Sequence, residues 1–186
     1  MNIQVSVGEW VPVELTGSEL FNVRSAEGWL GLGNWREALA ELDQIAPENQ
    51  INPFALGLRY QCMAAAGNWE EAITLARVMQ QLLPGSIWGG YHMAQALHKS
   101  GRTLEAYGTM REMIDTFPGE WVIYFALTRY CCGLGRRGEA LRWFDQALDL
   151  ADKNDLKRLA MVDPDLQPIR GEIEGMGEET RITNDE

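Results

Sequence analysis

Four glycines, Gly33, Gly67, Gly101 and Gly135, stand 34 residues apart, and each opens a related six-residue stretch. The stretches read Gly-Asn-Trp-Arg-Glu-Ala, Gly-Asn-Trp-Glu-Glu-Ala, Gly-Arg-Thr-Leu-Glu-Ala and Gly-Arg-Arg-Gly-Glu-Ala. Glu37, Glu71, Glu105 and Glu139 keep the same spacing, as do Ala38, Ala72, Ala106 and Ala140. A fixed period of this length restricts a chain to stacked copies of one supersecondary unit. One unit cannot bury its apolar face alone, so neighbours must stack and share a core. The 186 residues therefore read as one continuous array rather than two separate domains.

Within each period the spacing of apolar residues is helical. Ser18 is the expected N-cap of a first helix, with Leu20, Val23, Ala26, Trp29 and Leu30 at i+3 and i+4 steps. Gly33 ends it, because the position after a helix often needs the left-handed backbone that glycine tolerates. Asn34 then caps a second helix, with Glu37 placed for a capping box, and Pro47 stops it. The second unit has Asn52 as cap, Pro53 at the first helical position, a helix to about Ala66 and another to about Leu83. In the third, Ser86 caps a helix to about Ser100, and the next stops near Phe117. The fourth has helices from about Glu120 to Leu134 and from Gly138 to Ala151.

The ends depart from the period. Residues 1–17 read as extended, with Ile3, Val5 and Val7, then Val11, Val13 and Leu15, alternating with polar residues or Pro12. After residue 154 a shortened capping pair over 155–174 is expected, with Leu166, Ile169 and Ile173 on one face. Asp165, Gln167, Arg170, Glu172 and Glu174 supply its polar outer side. Residues 175–186 are expected to be an acidic disordered tail.

Composition excludes more than it identifies. A net charge of −11 opposes the basic stripe that a nucleic acid needs and attraction to an anionic membrane surface. No apolar run is long enough for a membrane span. Cys62, Cys131 and Cys132 show no metal spacing and are expected to be reduced; with no secretory signal visible, a cytoplasmic location is expected. His92 and His98 are six residues apart, which does not put them together on one helix face. Gly89-Gly90 lies inside a helix without the context of a phosphate loop. No nucleophile, base and orienting group fall together, so no enzyme activity, cofactor or metal is expected.

A 34-residue helix–turn–helix period is that of the tetratricopeptide repeat. The chain resembles that family in four units, about 19–52, 53–86, 87–120 and 121–154, within an array spanning 18–174. The small residue midway along the first helix is kept as Ala26, Ala94 and Thr128, with Tyr60 departing. The aromatic after the turn is kept as Trp35 and Trp69, and the closing proline as Pro84 and Pro118. The resemblance implies an all-α solenoid of antiparallel helix pairs, wound as a right-handed superhelix with a concave groove lined by the first helices.

Carried onto this sequence, the groove positions include Phe54, Gln61, Trp88, Tyr91, Gln95, His98, Val122, Phe125 and Arg129. Members that clamp a peptide carboxylate place Lys and Asn in the groove. Val23, Gly57, Tyr91 and Phe125 stand where the Lys recurs, and Glu27, Gln61, Gln95 and Arg129 where the Asn does, so that clamp is absent. Aromatic anchors with Arg suit an interaction hot spot. The expected function is thus a protein–protein interaction module holding a peptide or extended protein segment. The alternatives are a small acidic chaperone for an aggregation-prone client, or a homodimer built through residues 3–15. Trp29, Trp35, Trp69 and Trp143 are assigned to helix packing, and Met79, Met110 and Met113 to filling the core.

Overall fold

The computed structural model describes residues 14–176, so expectations for residues 1–13 and 177–186 lie outside the described residues. The described chain is helical, with no strand. The helices are α1 (Gly17–Gly31), α2 (Trp35–Leu42), α3 (Pro53–Ala66), α4 (Trp69–Leu82), α5 (Ile87–Lys99), α6 (Thr103–Met113), α7 (Trp121–Gly133), α8 (Arg137–Leu150), α9 (Lys153–Val162) and α10 (Arg170–Gly175). Short 3₁₀ helices at Pro47–Asn49 and Pro164–Ile169 lie between them. The chain divides into two compact units, Met1–Ala96 and Leu97–Glu186, with the division inside α5.

Every repeat turn is built alike. Gly33, Gly67, Gly101 and Gly135 have φ of 75°, 74°, 88° and 71°. The glycine N–H bonds the carbonyl three residues back, and the next N–H reaches five residues back: Gly67 to Ala64 at 3.1 Å, Asn68 to Met63 at 2.9 Å. This pairing satisfies carbonyls that the helix end would otherwise leave open. The alanine five residues after each glycine is fully buried in all four copies.

The start of α1 differs from expectation. Thr16, not Ser18, is the N-cap, in a reciprocal capping box with Glu19. Glu19 is 6% exposed and also accepts the Ala46 N–H at 3.1 Å and the Asn49 side-chain amide at 2.8 Å. One carboxylate thus ties the head of α1 to the segment after α2. Hydrogen bonds from Thr16 and Asn49 lower its pKa to about 2. The helix α2 stops at Leu42, before Pro47, and α6 stops at Met113, short of Phe117.

In the first unit α1 packs on α2, α2 and α1 on α3, and α3 on α4. Val23, Ala26, Ala38, Leu42, Ile45, Ala55, Leu58 and Cys62 form a core there, with Leu15, Leu30 and Trp35 packed against it. Gly89 lets α5 approach α4 closely, because a Cβ at that position would sit 2.5 Å from the Gln80 backbone nitrogen. In the second unit α7 pairs with α8 and is flanked by α6 and the 164–169 turn. Tyr130, Phe144, Ile123, Leu127, Leu166, Ile169 and Ile173 are fully buried there. Met79, Met110 and Met113 are buried, as is Trp143, whereas Trp29 keeps 37% of its surface exposed.

Candidate interaction surface

The first unit carries an exposed apolar row at one repeat position. Leu20, Phe54 and Trp88 are 45%, 76% and 53% exposed, and successive members are 34 residues apart. Each stands in the first turns of the first helix of its repeat, where the preceding cap fixes the helix start. Asn52 accepts the Phe54 N–H at 2.9 Å, and the Ser86 hydroxyl accepts the Trp88 N–H at 3.3 Å. Between α1 and α3 lies a groove of about 580 Å³, a size typical of binding clefts. Leu15, Leu20, Val23 and Phe54 form its apolar walls, and Glu14, Arg24, Glu27 and Asn52 its polar edge.

Farther along the same unit, aromatic rings cluster on α3 and the first part of α5. Trp88 meets Tyr91 edge-on at 5.9 Å and stacks on His92 at 5.9 Å. His92 in turn lies 4.2 Å from the Tyr60 ring. The Tyr60 hydroxyl sits 3.0 Å from both the His92 carbonyl and Gln95 Oε1, so the Gln95 side chain is already engaged. Burial raises the Tyr60 pKa and lowers that of His92, which keeps both neutral. Tyr60 stands where the family carries a small residue, and its ring reaches from α3 to α5. Tyr91 and Gln95 are half-buried and Gln61 is exposed.

In the second unit the remaining expected groove residues are placed differently. Phe125 is only 7% exposed, with its ring near Trp121 at 6.2 Å and Phe144 at 6.4 Å. Val122 is half-buried. Arg129 is held by Asp163 at 3.1 Å and Asp165 at 2.7 Å. His98 Nδ1 lies 3.0 Å from the Thr103 hydroxyl and its Nε2 3.4 Å from Asp165. Burial lowers the His98 pKa against the opposing pull of Asp165. Burial alone would raise the Asp165 pKa, but the Arg129 hydrogen bond and charge outweigh it. Asp165, read in the sequence as part of a polar outer face, is instead the hub of this ionic cluster.

The expected polar cap is also incomplete. Gln167 and Glu174 are exposed and Glu172 bonds Arg137, yet Leu159 and Val162 of α9 remain 42% and 76% exposed. The sequence reading missed Glu19, although Thr16-x-x-Glu19 is a legible capping signal. It missed the Arg129 cluster because Asp163 and Asp165 are distant from it in sequence.

Chemistry is sparse. Cys62, Cys131 and Cys132 are free and buried, and burial pushes the thiols of Cys131 and Cys132 up to about 12 and about 11. They are therefore not thiolates at neutral pH. Among the described residues no group of three metal-ligating side chains is assembled. No helix among them is long and apolar enough to cross a membrane.

No protein-family model and no curated protein matches the chain. Solved structures do. MamA from Desulfovibrio magneticus RS-1, from residue 41 to its end, is 18% identical with a TM-score of 0.64, over 87% of this chain and 94% of that one. A crystal structure of MamA is 17% identical with a TM-score of 0.62, over 74% of this chain and 80% of that one. A double mutant of MamA RS-1 gives 13% identity and a TM-score of 0.60, over 78% of each chain. MamA is a tetratricopeptide-repeat protein. Helix pairs at a 34-residue period, a left-handed glycine at each turn and these neighbours give the chain the fold of an all-α tetratricopeptide-repeat solenoid.

Proposed function

We propose that the chain is a protein–protein interaction module that holds an extended segment of a partner protein on the first-helix face of its first unit. The observation that carries this reading is the exposed row Leu20, Phe54 and Trp88. Large apolar side chains at equivalent positions of three successive repeats are unusual on a surface unless something covers them. Phe54 and Trp88 supply anchors, Tyr91 extends the aromatic surface, and Gln61 offers a hydrogen-bonding edge. Phe125, His98 and Arg129 are left out, since packing and ion pairs already engage them. The net charge of −11 favours a protein partner over nucleic acid.

The test is a peptide-display selection on the full chain, repeated with Phe54→Ala and Trp88→Ala. Each variant is expected to weaken selected peptides tenfold or more. Phe54→Ala should change stability by about 0.5 kcal/mol or less, because its surface is exposed, and Trp88→Ala should cost about 1 kcal/mol, because its ring also packs on Tyr91 and His92. Phe125→Ala is expected instead to cost about 3–5 kcal/mol of stability, as a core truncation does. Unchanged binding by both Phe54→Ala and Trp88→Ala would sink the reading. Equal binding of many unrelated apolar peptides would identify a chaperone rather than an adaptor.

A further inference from the structure

We propose that the α1–α3 groove is occupied by the chain's own N-terminal segment, residues 3–13, so that a partner must displace a built-in pseudo-ligand. This rests on the reading of that groove as a binding surface.

Three observations converge on this occupant. First, the described chain begins inside the groove: Glu14 and Leu15 are part of its wall, and Leu15 already packs on the first unit's core. Glu14, the point to which the preceding thirteen residues are joined, is therefore itself part of the cleft. Second, its length suffices. Thirteen residues precede Glu14, and at about 3.3 Å per extended residue they reach roughly 40 Å. Packed helices lie about 8–10 Å apart, so the segment spans α1 and α3 without strain. Third, its pattern complements the walls. By sequence, Ile3, Val5, Val7, Val11 and Val13 fall at alternate positions with Glu9 in the same register, while Gln4, Ser6, Gly8, Trp10 and Pro12 fall between them, so an extended strand would offer Leu20, Val23 and Phe54 a mainly apolar edge. The segment's one charged side chain is Glu9, and the groove's one cation is Arg24, which has no carboxylate partner among the described residues.

A tethered segment acts at an effective concentration on the order of millimolar. It therefore outcompetes free peptides of ordinary affinity, and an incoming partner must bind well enough to expel it.

The probe is a fluorescein-labelled synthetic peptide with the sequence of residues 1–15, followed by anisotropy. It is titrated into the full chain, a full chain with Val5→Ser, Val7→Ser, Val11→Ser and Val13→Ser, and that variant with Phe54→Ala added. Far-UV circular dichroism checks folding, and light scattering gives the mass. The wild type is expected to be monomeric and to bind the probe at least tenfold more weakly than the four-serine chain. Adding Phe54→Ala is expected to abolish the gain. Equal binding by wild type and four-serine chain overturns the inference, as does a gain that ignores Phe54. A wild-type dimer that becomes monomeric in the four-serine chain also overturns it, by placing the segment in a second copy. A peptide selected by display on the four-serine chain separates the two readings. If it depends on Phe54 while the 1–15 probe does not bind, only self-occupancy fails; if it ignores Phe54 and Trp88, the groove reading fails as well.

Discussion

Glu19 shows how one side chain can set the edge of a repeat. Its carboxylate receives hydrogen bonds from Thr16, Ala46 and Asn49, and its pKa falls from 4.5 to about 2. A lowered carboxylate pKa contributes stability that is present above the unfolded value and lost as pH falls toward the folded one. The loss attributable to Glu19 should therefore fall between about pH 4.5 and about pH 2. Comparing urea midpoints of wild type and Glu19→Gln across that range isolates it from other lowered carboxylates such as Asp165. The wild type's advantage should shrink as pH drops; a constant difference would count against the assignment. The repeat motif has its own residue-level logic. Asn34 accepts the Glu37 N–H, and Asn68 bonds the Glu71 carboxylate at 2.8 Å. Where the later copies place Arg, Arg102 pairs with Glu105 at 2.7 Å and Arg136 with Glu139 at 3.7 Å. The glutamate side chain is thus paired at Glu71, Glu105 and Glu139, with an amide in the second copy and a guanidinium in the third and fourth, while in the first copy the bond is to the Glu37 backbone.

Helices meet where the sequence supplies small residues, and glycine in a helix is not always there for one reason. Gly89 and Gly57 both sit inside helices, α5 and α3. A Cβ on Gly89 would lie within 2.8 Å of three Gln80 atoms, two of them backbone, whereas one on Gly57 would meet nothing within 4 Å. Gly89→Ala is expected to destabilise by about 1–3 kcal/mol, the cost of overpacking. Gly57→Ala is expected to stabilise by about 0.5–1 kcal/mol, by lowering the entropy of the unfolded chain and raising helix propensity. Thermal unfolding of the two variants gives both signs. Equal shifts in one direction would show that α4 and α5 have room the structure does not assign to them.

Across the whole molecule, stability in a repeat array is distributed through neighbouring contacts rather than one central core. The division into Met1–Ala96 and Leu97–Glu186 gives this a measurable form. Phe144 is fully buried in the second unit, in ring contact with Phe125. Phe144→Ala is expected to cost about 3–5 kcal/mol there. Hydrogen exchange should show protection lost in α7 and α8, with amides of α1, α2 and α3 little changed. Uniform loss across all helices would mean that the chain unfolds as one cooperative body. The proposed division of labour follows the same lines. The first unit exposes the apolar row, and the second buries Tyr124, Phe125, Tyr130, Trp143 and Phe144 and knots Arg129 to Asp163 and Asp165.

The sequence by itself determined the architecture. A 34-residue period, glycines at fixed turns and alanines at fixed crossings leave one economical solution, helix pairs that stack, because each unit lacks a core of its own. It also marked most helix starts, through caps such as Asn52 and Pro53 that act locally. Only the tertiary structure decided which first-helix residues face outward. Phe54 and Trp88 share one repeat position and Phe125 shares another with Tyr91; spacing assigns both positions to the expected groove, yet Phe54 and Trp88 are exposed and Phe125 packs on Phe144. A repeat pattern fixes the angular position of a residue on its helix. What covers that position is set by distant partners, such as Asp165 beside Arg129 and Asn49 beside Glu19, which no local spacing encodes.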